Sequence, residues 1–402
     1  MDARVELTHV SLDSSSSSSP CDNNGAAETL FPVFEWAPIA DVRHLKVVVH
    51  GVKRRCTDPF AAMESQPLFH QCAVWAPLFR STNAEKGFRN HTNNNNNNIS
   101  NNRNSVYSSF TANDTASTYT AIDSDLPTIA WKRPQDYTLG IASSTHPQWT
   151  SFTAFDALLR HAVERFPGLE SLTLVGFSAG SQFLNRYAAV STHLQALAST
   201  LPTLLVFGTA SSWLYLDSRR FDASSTFLLD SLTHATALPA AAFKVPSVFD
   251  TPAPNTYNKW KYGLDNAPSA DQPSLLASRL LSYRIAFIYV EDDDKWGSSL
   301  DMAQECLVQC ASTSRYARMC VYVQYLRACW NYTPFHSVVV DGCGHDAAKV
   351  YAKPDVQDLI LGFPSTAGAM IGSTTNGGMV GTLDAANVEE TKQDPKHENG
   401  KL

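Results

Sequence analysis

Leu172-Thr173-Leu174-Val175-Gly176-Phe177-Ser178-Ala179-Gly180 is the stretch on which the reading of this 402-residue chain turns. Its first four residues form an apolar run of the kind that makes a buried strand. After Gly180, the residues Gln182, Phe183, Leu184, Tyr187 and Ala188 continue as an amphipathic run with helical spacing. Ser178 therefore stands in a tight turn between a strand and a helix. Such a turn lifts a hydroxyl above the edge of a sheet and leaves helix-start amides free to donate. Gly176 and Gly180 suit it because side chains there would collide with strand or helix as the chain reverses. A serine hydroxyl is a poor nucleophile. To act, it needs a base, an acid behind the base, and donors where negative charge develops.

Further apolar runs lie at Leu45 to His50, Cys72 to Ala76, Leu204 to Phe207, Ile285 to Val290 and Val338 to Val340. Segments of helical spacing separate them, at Phe152 to Phe166, Ala179 to Ala198, Ser298 to Gln309 and Tyr316 to Cys329. Strands alternating with helices predict an α/β fold with a mostly parallel central sheet flanked by helices. No internal repeat of fixed period interrupts this order. The predicted domain covers 30–364. Residues 1–29 read as a disordered, Ser-rich leader and 365–402 as a disordered tail, both too polar to build a core. Residues 81–125, with six consecutive asparagines from Asn93, read as a low-complexity insertion on a surface loop.

The 31 Lys and Arg against 38 Asp and Glu give a net charge of -7, which offers no electrostatic case for nucleic acid or an anionic membrane as partner. No apolar stretch approaches the length of a transmembrane segment, and the polar start lacks the basic and apolar regions of a secretory signal. A cytoplasmic location is expected; the terminal Gly400-Lys401-Leu402 is only a degenerate version of the S-K-L peroxisomal signal. The eight cysteines read as free buried thiols. Cys306 and Cys310, with Cys343 and His345, lack a C-x-x-C knuckle, so no metal site is expected.

Three loops following strands supply the other groups the serine needs. Val47-Val48-Val49 runs into His50-Gly51-Val52, where the glycine lets the backbone turn and the Val52 amide joins that of Ala179 as an oxyanion hole. His50 itself, at a strand end, is an ordinary structural position. Val338-Val339-Val340 ends in Asp341-Gly342-Cys343-Gly344-His345, and among the 12 histidines His345 is the one in a glycine-flanked turn after a strand, suited to a base. The strand ending at Val290 enters Glu291-Asp292-Asp293-Asp294. Asp292, Asp293 and Asp294 are each open as the acid, with the rest of the cluster a solvated turn. Serine, then acid, then histidine is the chain order of one class of serine hydrolase and differs from that of chymotrypsin and subtilisin.

Over about 30–364, outside the Asn-rich tract, the sequence resembles the α/β-hydrolase superfamily, and within it uncharacterised eukaryotic microbial members. The phrases that carry the resemblance are Val48-Val49-His50-Gly51, Ala76-Pro77-Leu78-Phe79, Ser151-Phe152-Thr153-Ala154-Phe155-Asp156, Ser178-Ala179-Gly180-Ser181-Gln182 with Arg186-Tyr187, and Gly344-His345-Asp346. The resemblance implies the α/β-hydrolase fold and cleavage of an ester, thioester or amide of a small-molecule acyl substrate through an acyl-enzyme, without a cofactor. It favours Asp293 as the acid, since related chains often read G-E-x-D here and Val290-Glu291-Asp292-Asp293 departs only by lacking the glycine. It also implies a cap-like insertion after the sixth strand, at 211–282, with Trp213, Tyr215, Tyr257, Trp260 and Tyr262 either lining a pocket or serving as ordinary packing. Two alternatives differ in chemistry: a non-catalytic binding member of the fold, and an acyltransferase or thioesterase using the same residues. A carboxylate of the 291–294 cluster within reach of His345 separates the first alternative from an enzyme.

Overall fold

The computed structural model describes residues 5–12, 29–36, 42–83, 126–222, 232–246, 257–293 and 314–362. They build an eight-stranded sheet: β1 (Glu6–Ser11), β2 (Leu30–Trp36), β3 (His44–Val49), β4 (Cys72–Pro77), β5 (Ser171–Gly176), β6 (Thr203–Gly208), β7 (Arg284–Val290) and β8 (His336–Val340). The spatial order is β1-β2-β4-β3-β5-β6-β7-β8. β2 runs antiparallel to both its neighbours, and every pair from β4 through β8 is parallel. This mostly parallel sheet, with its antiparallel edge and helices on both faces, is the arrangement of the α/β-hydrolase fold.

The strands alternate their side chains between two cores. Leu45, Val47 and Val49 of β3 face one, with Leu172 and Leu174 of β5 and Ile285, Phe287 and Tyr289 of β7. Val48, Val175, Ile288 and Val290 face the other. The first core is covered by α2 (Ser151–Arg165), α3 (Ala179–Val190), α4 (Thr192–Ala198), α5 (Pro273–Leu281) and α6 (Arg315–Trp330). The second is covered by α1 (Asp58–Met63), α7 (Ala347–Tyr351) and α8 (Pro354–Leu361). Strands buried on both faces explain why the sequence shows continuous apolar runs instead of alternation.

Local chemistry sets the helix ends. α2 starts at a capping box in which the Thr150 hydroxyl accepts from the Thr153 amide and the Thr153 hydroxyl accepts from the Thr150 amide. The single helix expected over Ala179 to Ala198 is two helices. Ser191 breaks it by adopting an extended conformation, accepting from the Leu194 amide and donating to Asp156.

The leader assigned to 1–29 is corrected at its start: residues 6–11 form β1 and pair with β2 from Glu6↔Glu35 to Ser11↔Leu30. Val10 and Leu12 enter the core. A short strand with a single apolar edge is outweighed in composition by the serines that follow it, which lie outside the described residues, as do 84–125 and the tail from 363. The residues on either side of the Asn-rich tract are tied together, because Arg80–Ser81 pairs with Ala130–Trp131.

The stretch at 211–282 does follow the sixth strand of the sheet. Among the described residues its aromatics serve as packing. Trp213 stacks on Tyr322 of α6 at 4.9 Å, Tyr215 meets Tyr325 at 4.8 Å, and the Trp260 indole donates to the Leu139 carbonyl. Buried arginines fasten the stretch to the body. Arg186 of α3 donates to the Lys261 and Thr138 carbonyls and to Ser212. Arg220 donates to the carbonyls of Asp217, Arg219, Tyr257 and Tyr262, with its guanidinium 4.2 Å above the Tyr215 ring. A planar, five-donor fork can gather several carbonyls that would otherwise be buried without donors. Arg220→Met keeps most of the volume and removes every donor. It is expected to lower the unfolding free energy by about 3 kcal/mol or more, read by urea denaturation.

Candidate active site

Parallel strands point their C-terminal ends to one edge of the sheet, so the loops after β3, β5, β6, β7 and β8 converge there. β5 ends at Gly176 and α3 begins at Ala179, leaving Ser178 at the bend with φ 57° and ψ -118°. That backbone conformation is strained for any residue with a side chain. Several contacts hold it. The Ser178 amide donates to the Thr209 carbonyl at 2.9 Å, and the Ser181 hydroxyl reaches the carbonyls of Gly176 and Gly208, both at 2.8 Å. The two elbow glycines are required by space. A Cβ on Gly180 would stand 2.0 Å from the Val49 carbonyl oxygen, and one on Gly176 would stand 2.5 Å from the Gly180 carbonyl carbon. Both obstacles are backbone and cannot swing aside. Gly180→Ala is expected to cost about 1–3 kcal/mol of stability, measured by denaturant unfolding, as the elbow and β3 are forced apart.

Ser178, Asp293 and His345, with 115 positions between the first two and 52 between the last two, form one hydrogen-bonded line. Ser178 Oγ lies 2.9 Å from His345 Nε2, and His345 Nδ1 lies 2.7 Å from Asp293 Oδ2. The glycines flanking Cys343 and His345 have the positive φ their place suggested, 64° at Gly342 and 55° at Gly344, and swing the imidazole over the serine. Phe177 supports the ring from beneath with centroids 5.1 Å apart.

The acidic cluster divides its work between neighbours. Asp293 faces the imidazole, while the carboxylate of Asp292 accepts from the Cys343 amide at 3.2 Å and the Gly344 amide at 2.8 Å, holding the histidine loop. Asp294 lies outside the described residues. Two further partners of Asp293 carried no signal in the sequence: the Thr209 hydroxyl donates to Oδ2 at 2.6 Å and Arg315 donates to Oδ1 at 3.2 Å. Thr209 directly follows β6 and Arg315 opens α6, so only the meeting of those ends with β7 reveals them. Burial opposes ionisation of Asp293, but the hydrogen bond and charge of His345, then Thr209 and Arg315, outweigh it and hold the carboxyl below its ordinary range.

His50 belongs to the frame of the loop after β3. Its Nε2 accepts from the Phe79 amide at 3.0 Å, so Nδ1 carries the hydrogen and donates to the Gly51 carbonyl at 2.7 Å. Burial pushes its pKa down to about 4 and keeps it neutral. The Tyr137 hydroxyl donates to the His50 carbonyl at 2.6 Å from the opposite side. Gly51 does not owe its place to a left-handed backbone. Its φ is not positive, and a Cβ would make ordinary contact, 3.5 Å from Ser178 Cβ. What the missing side chain provides is open space above the serine; the positive φ of the loop falls on Arg54, at 57°. Ala179 is the first residue of α3, so helix geometry leaves its amide without an intrahelical acceptor. Neither it nor the Val52 amide donates to an acceptor among the described residues.

A cavity of about 140 Å³ opens beside Ser178 and His345, walled by Gly51 to Arg55, Asp58 and Pro59 of α1, and Asp346, Ala347 and Tyr351 of α7 and its start. None of the five aromatics at 213–262 lines it. Cys56, Cys72, Cys320 and Cys343 are buried free thiols, and Cys329 is also free; Cys306 and Cys310 lie outside the described residues. Among the described residues, no cluster of histidine, cysteine and carboxylate ligands could hold a metal ion, and no helix is long and apolar enough to cross a membrane.

No family model matches the chain, and no curated protein matches it. Solved structures similar to it include LpqC, a poly(3-hydroxybutyrate) depolymerase from Bordetella parapertussis, with 16% identity, 87% of each chain covered and a TM-score of 0.47. Poly(aspartic acid) hydrolase-1 from Sphingomonas sp. KT-1 has 13% identity over 90% of this chain and 99% of its own, with a TM-score of 0.48. The siderophore hydrolase EstB from Aspergillus nidulans has 11% identity over 90% and 95%, with a TM-score of 0.38. At such identities and TM-scores these likenesses lend no weight to an activity.

Proposed function

We propose that this chain is a serine hydrolase that cleaves a carboxylic ester, or a thioester or amide, of a small molecule through an acyl-enzyme. The observation that carries the reading is the line from Ser178 Oγ to His345 Nε2 to Asp293 Oδ2, at 2.9 and 2.7 Å. A neutral imidazole bonded at Nδ1 to a carboxylate presents Nε2 as the acceptor for the serine proton. In the proposed reaction His345 takes that proton as Ser178 Oγ attacks the carbonyl carbon. The imidazolium, stabilised by Asp293, then returns the proton to the leaving alkoxide. Water repeats the sequence on the acyl-enzyme, with His345 again as base, and frees the acid and the serine.

The amides of Ala179 and Val52 are the proposed oxyanion donors. Both are backbone groups held before substrate arrives, so they need little reorganisation as charge develops. A carboxylate within reach of His345 weighs against the non-catalytic binding member of the fold. Thr209, Arg315 and Asp292 are proposed as positioning residues: the first two orient and charge Asp293, the third fixes the histidine loop.

A fluorophosphonate probe tests the reading, because it traps a serine activated in this way. Labelling is expected in the folded wild type and not in Ser178→Ala. Equal labelling of both, or labelling of neither, would overturn it.

A further inference from the structure

The wall of the cavity continues from the oxyanion loop into three consecutive cations, Lys53, Arg54 and Arg55, all of which line the space beside Ser178. In a chain of net charge -7 this is a local reversal. Lys53 and Arg55 are exposed, and neither forms an ion pair or hydrogen bond among the described residues. Arg54 is buried, and its guanidinium is held near His50 and Cys56 by a backbone with φ 57°.

Two acids share the cavity. Asp346 caps α7 by accepting from the Ala348 amide at 3.1 Å. Asp58 sits in the first turn of α1 with Oδ2 sealed from solvent and without a hydrogen-bond partner. Burial pushes its pKa up to about 6, with Arg55 opposing and Asp346 adding to the rise, so the group is still mainly ionised near neutral pH and its charge faces Arg55. The exposed charges at the mouth of the cavity are those of Lys53 and Arg55.

We propose that the site selects esters bearing a carboxylate, which Lys53 and Arg55 hold while the ester carbonyl lies against Ser178. This rests on the serine-hydrolase reading and narrows it to a substrate class. Guanidinium groups match a carboxylate with paired, charge-assisted N–H donors, and an ammonium adds a point charge. Placed beside the nucleophile, such contacts orient the scissile bond as well as binding the molecule.

Two pairs of esters, each matched in size, test the proposal on either side of the bond. Mono-para-nitrophenyl adipate against para-nitrophenyl hexanoate carries the charge on the acyl side, and para-acetoxybenzoate against para-tolyl acetate carries it on the alcohol side. In the wild type, the charged member of at least one pair is expected to show roughly tenfold higher kcat/KM, mainly through KM, with the advantage shrinking as salt rises. The double variant Lys53→Gln/Arg55→Gln should bring that ratio toward one. Both residues are exposed, so the variant is expected to fold, which circular dichroism and probe labelling check. Ratios at or below one in both pairs, or a ratio that survives the double variant, would overturn the proposal. Turnover of none of the four esters also overturns it. If Ser178 then also fails to take the fluorophosphonate, the serine-hydrolase reading falls with it.

Discussion

Ser178→Ala is expected to lower kcat on any ester the protein turns over by about 10⁵-fold, and His345→Ala by a similar factor, with the double variant no worse than either alone. That is the expectation for groups that act as one unit, since a nucleophile without its base and a base without its nucleophile are equally idle. The residual rate is expected to stay above that of water, because the Ala179 and Val52 amides and the cavity remain. Neither change should unfold the protein. Ser178 is partly exposed and alanine keeps the Cβ its backbone already accommodates, and the His345 side chain stands at the surface of its loop. Steady-state kinetics of the single and double variants, with denaturant unfolding of each, gives the answer. Additive losses would mean that the two residues do not share a reaction step.

Asp293→Asn and Asp292→Asn separate two adjacent carboxylates by function. The first removes the charge that orients and stabilises the imidazolium, and kcat is expected to fall by about 10³–10⁴-fold. The second keeps an oxygen that accepts from the Gly344 amide and leaves Asp293 in place, so its expected loss is about tenfold or less. A stability measurement adds a second readout for Asp293. Its carboxyl is held below its ordinary range by His345, Thr209 and Arg315, against the opposing effect of burial. The folded state therefore binds this proton less readily than the unfolded state, and the resulting stabilisation is complete above the unfolded pKa of about 4. It is lost as pH falls through the lower folded value. The difference in unfolding free energy between wild type and Asp293→Asn should thus be largest above about pH 5 and shrink below about pH 4. A larger kinetic loss for Asp292→Asn than for Asp293→Asn would reverse the assignment of the two.

The sequence carries the local half of this molecule. Its buried strands announce themselves as apolar runs because both faces of a parallel strand are covered, and the turn at 176–180 is legible because a helix must start two residues after a strand stops. His345 is legible for a similar reason: a histidine flanked by glycines after a strand is a feature of about five residues, and no distant contact is needed to see it. The choice of Asp293 over Asp292 is of another kind. Consecutive residues leaving a strand point in opposite directions, so which one meets the imidazole depends on where β7 ends beside β8. Composition near 291–294 is the same either way, and the resemblance to hydrolases leans toward Asp293 without giving the contact.

Other features depend wholly on the tertiary fold. β1 is legible only once β2 lies beside it, since six half-buried residues next to a serine tract lack a compositional signature. Thr209 and Arg315 reach Asp293 because the ends of β6 and β7 and the start of α6 meet at one edge of the sheet. Arg186 and Arg220 look in the sequence like surface cations, and become buried anchors because carbonyls from segments tens of residues away close around them. Lys53, Arg54 and Arg55 look like a basic triplet in a loop until α1 and α7 fold against that loop and make it the wall of a cavity. The sequence by itself determined the elements and the chemistry each could offer, because backbone propensity and side-chain burial along a strand or helix are local. Only the tertiary structure decided which groups face one another, because a few ångströms of register between distant segments choose the partner of a charge or a proton.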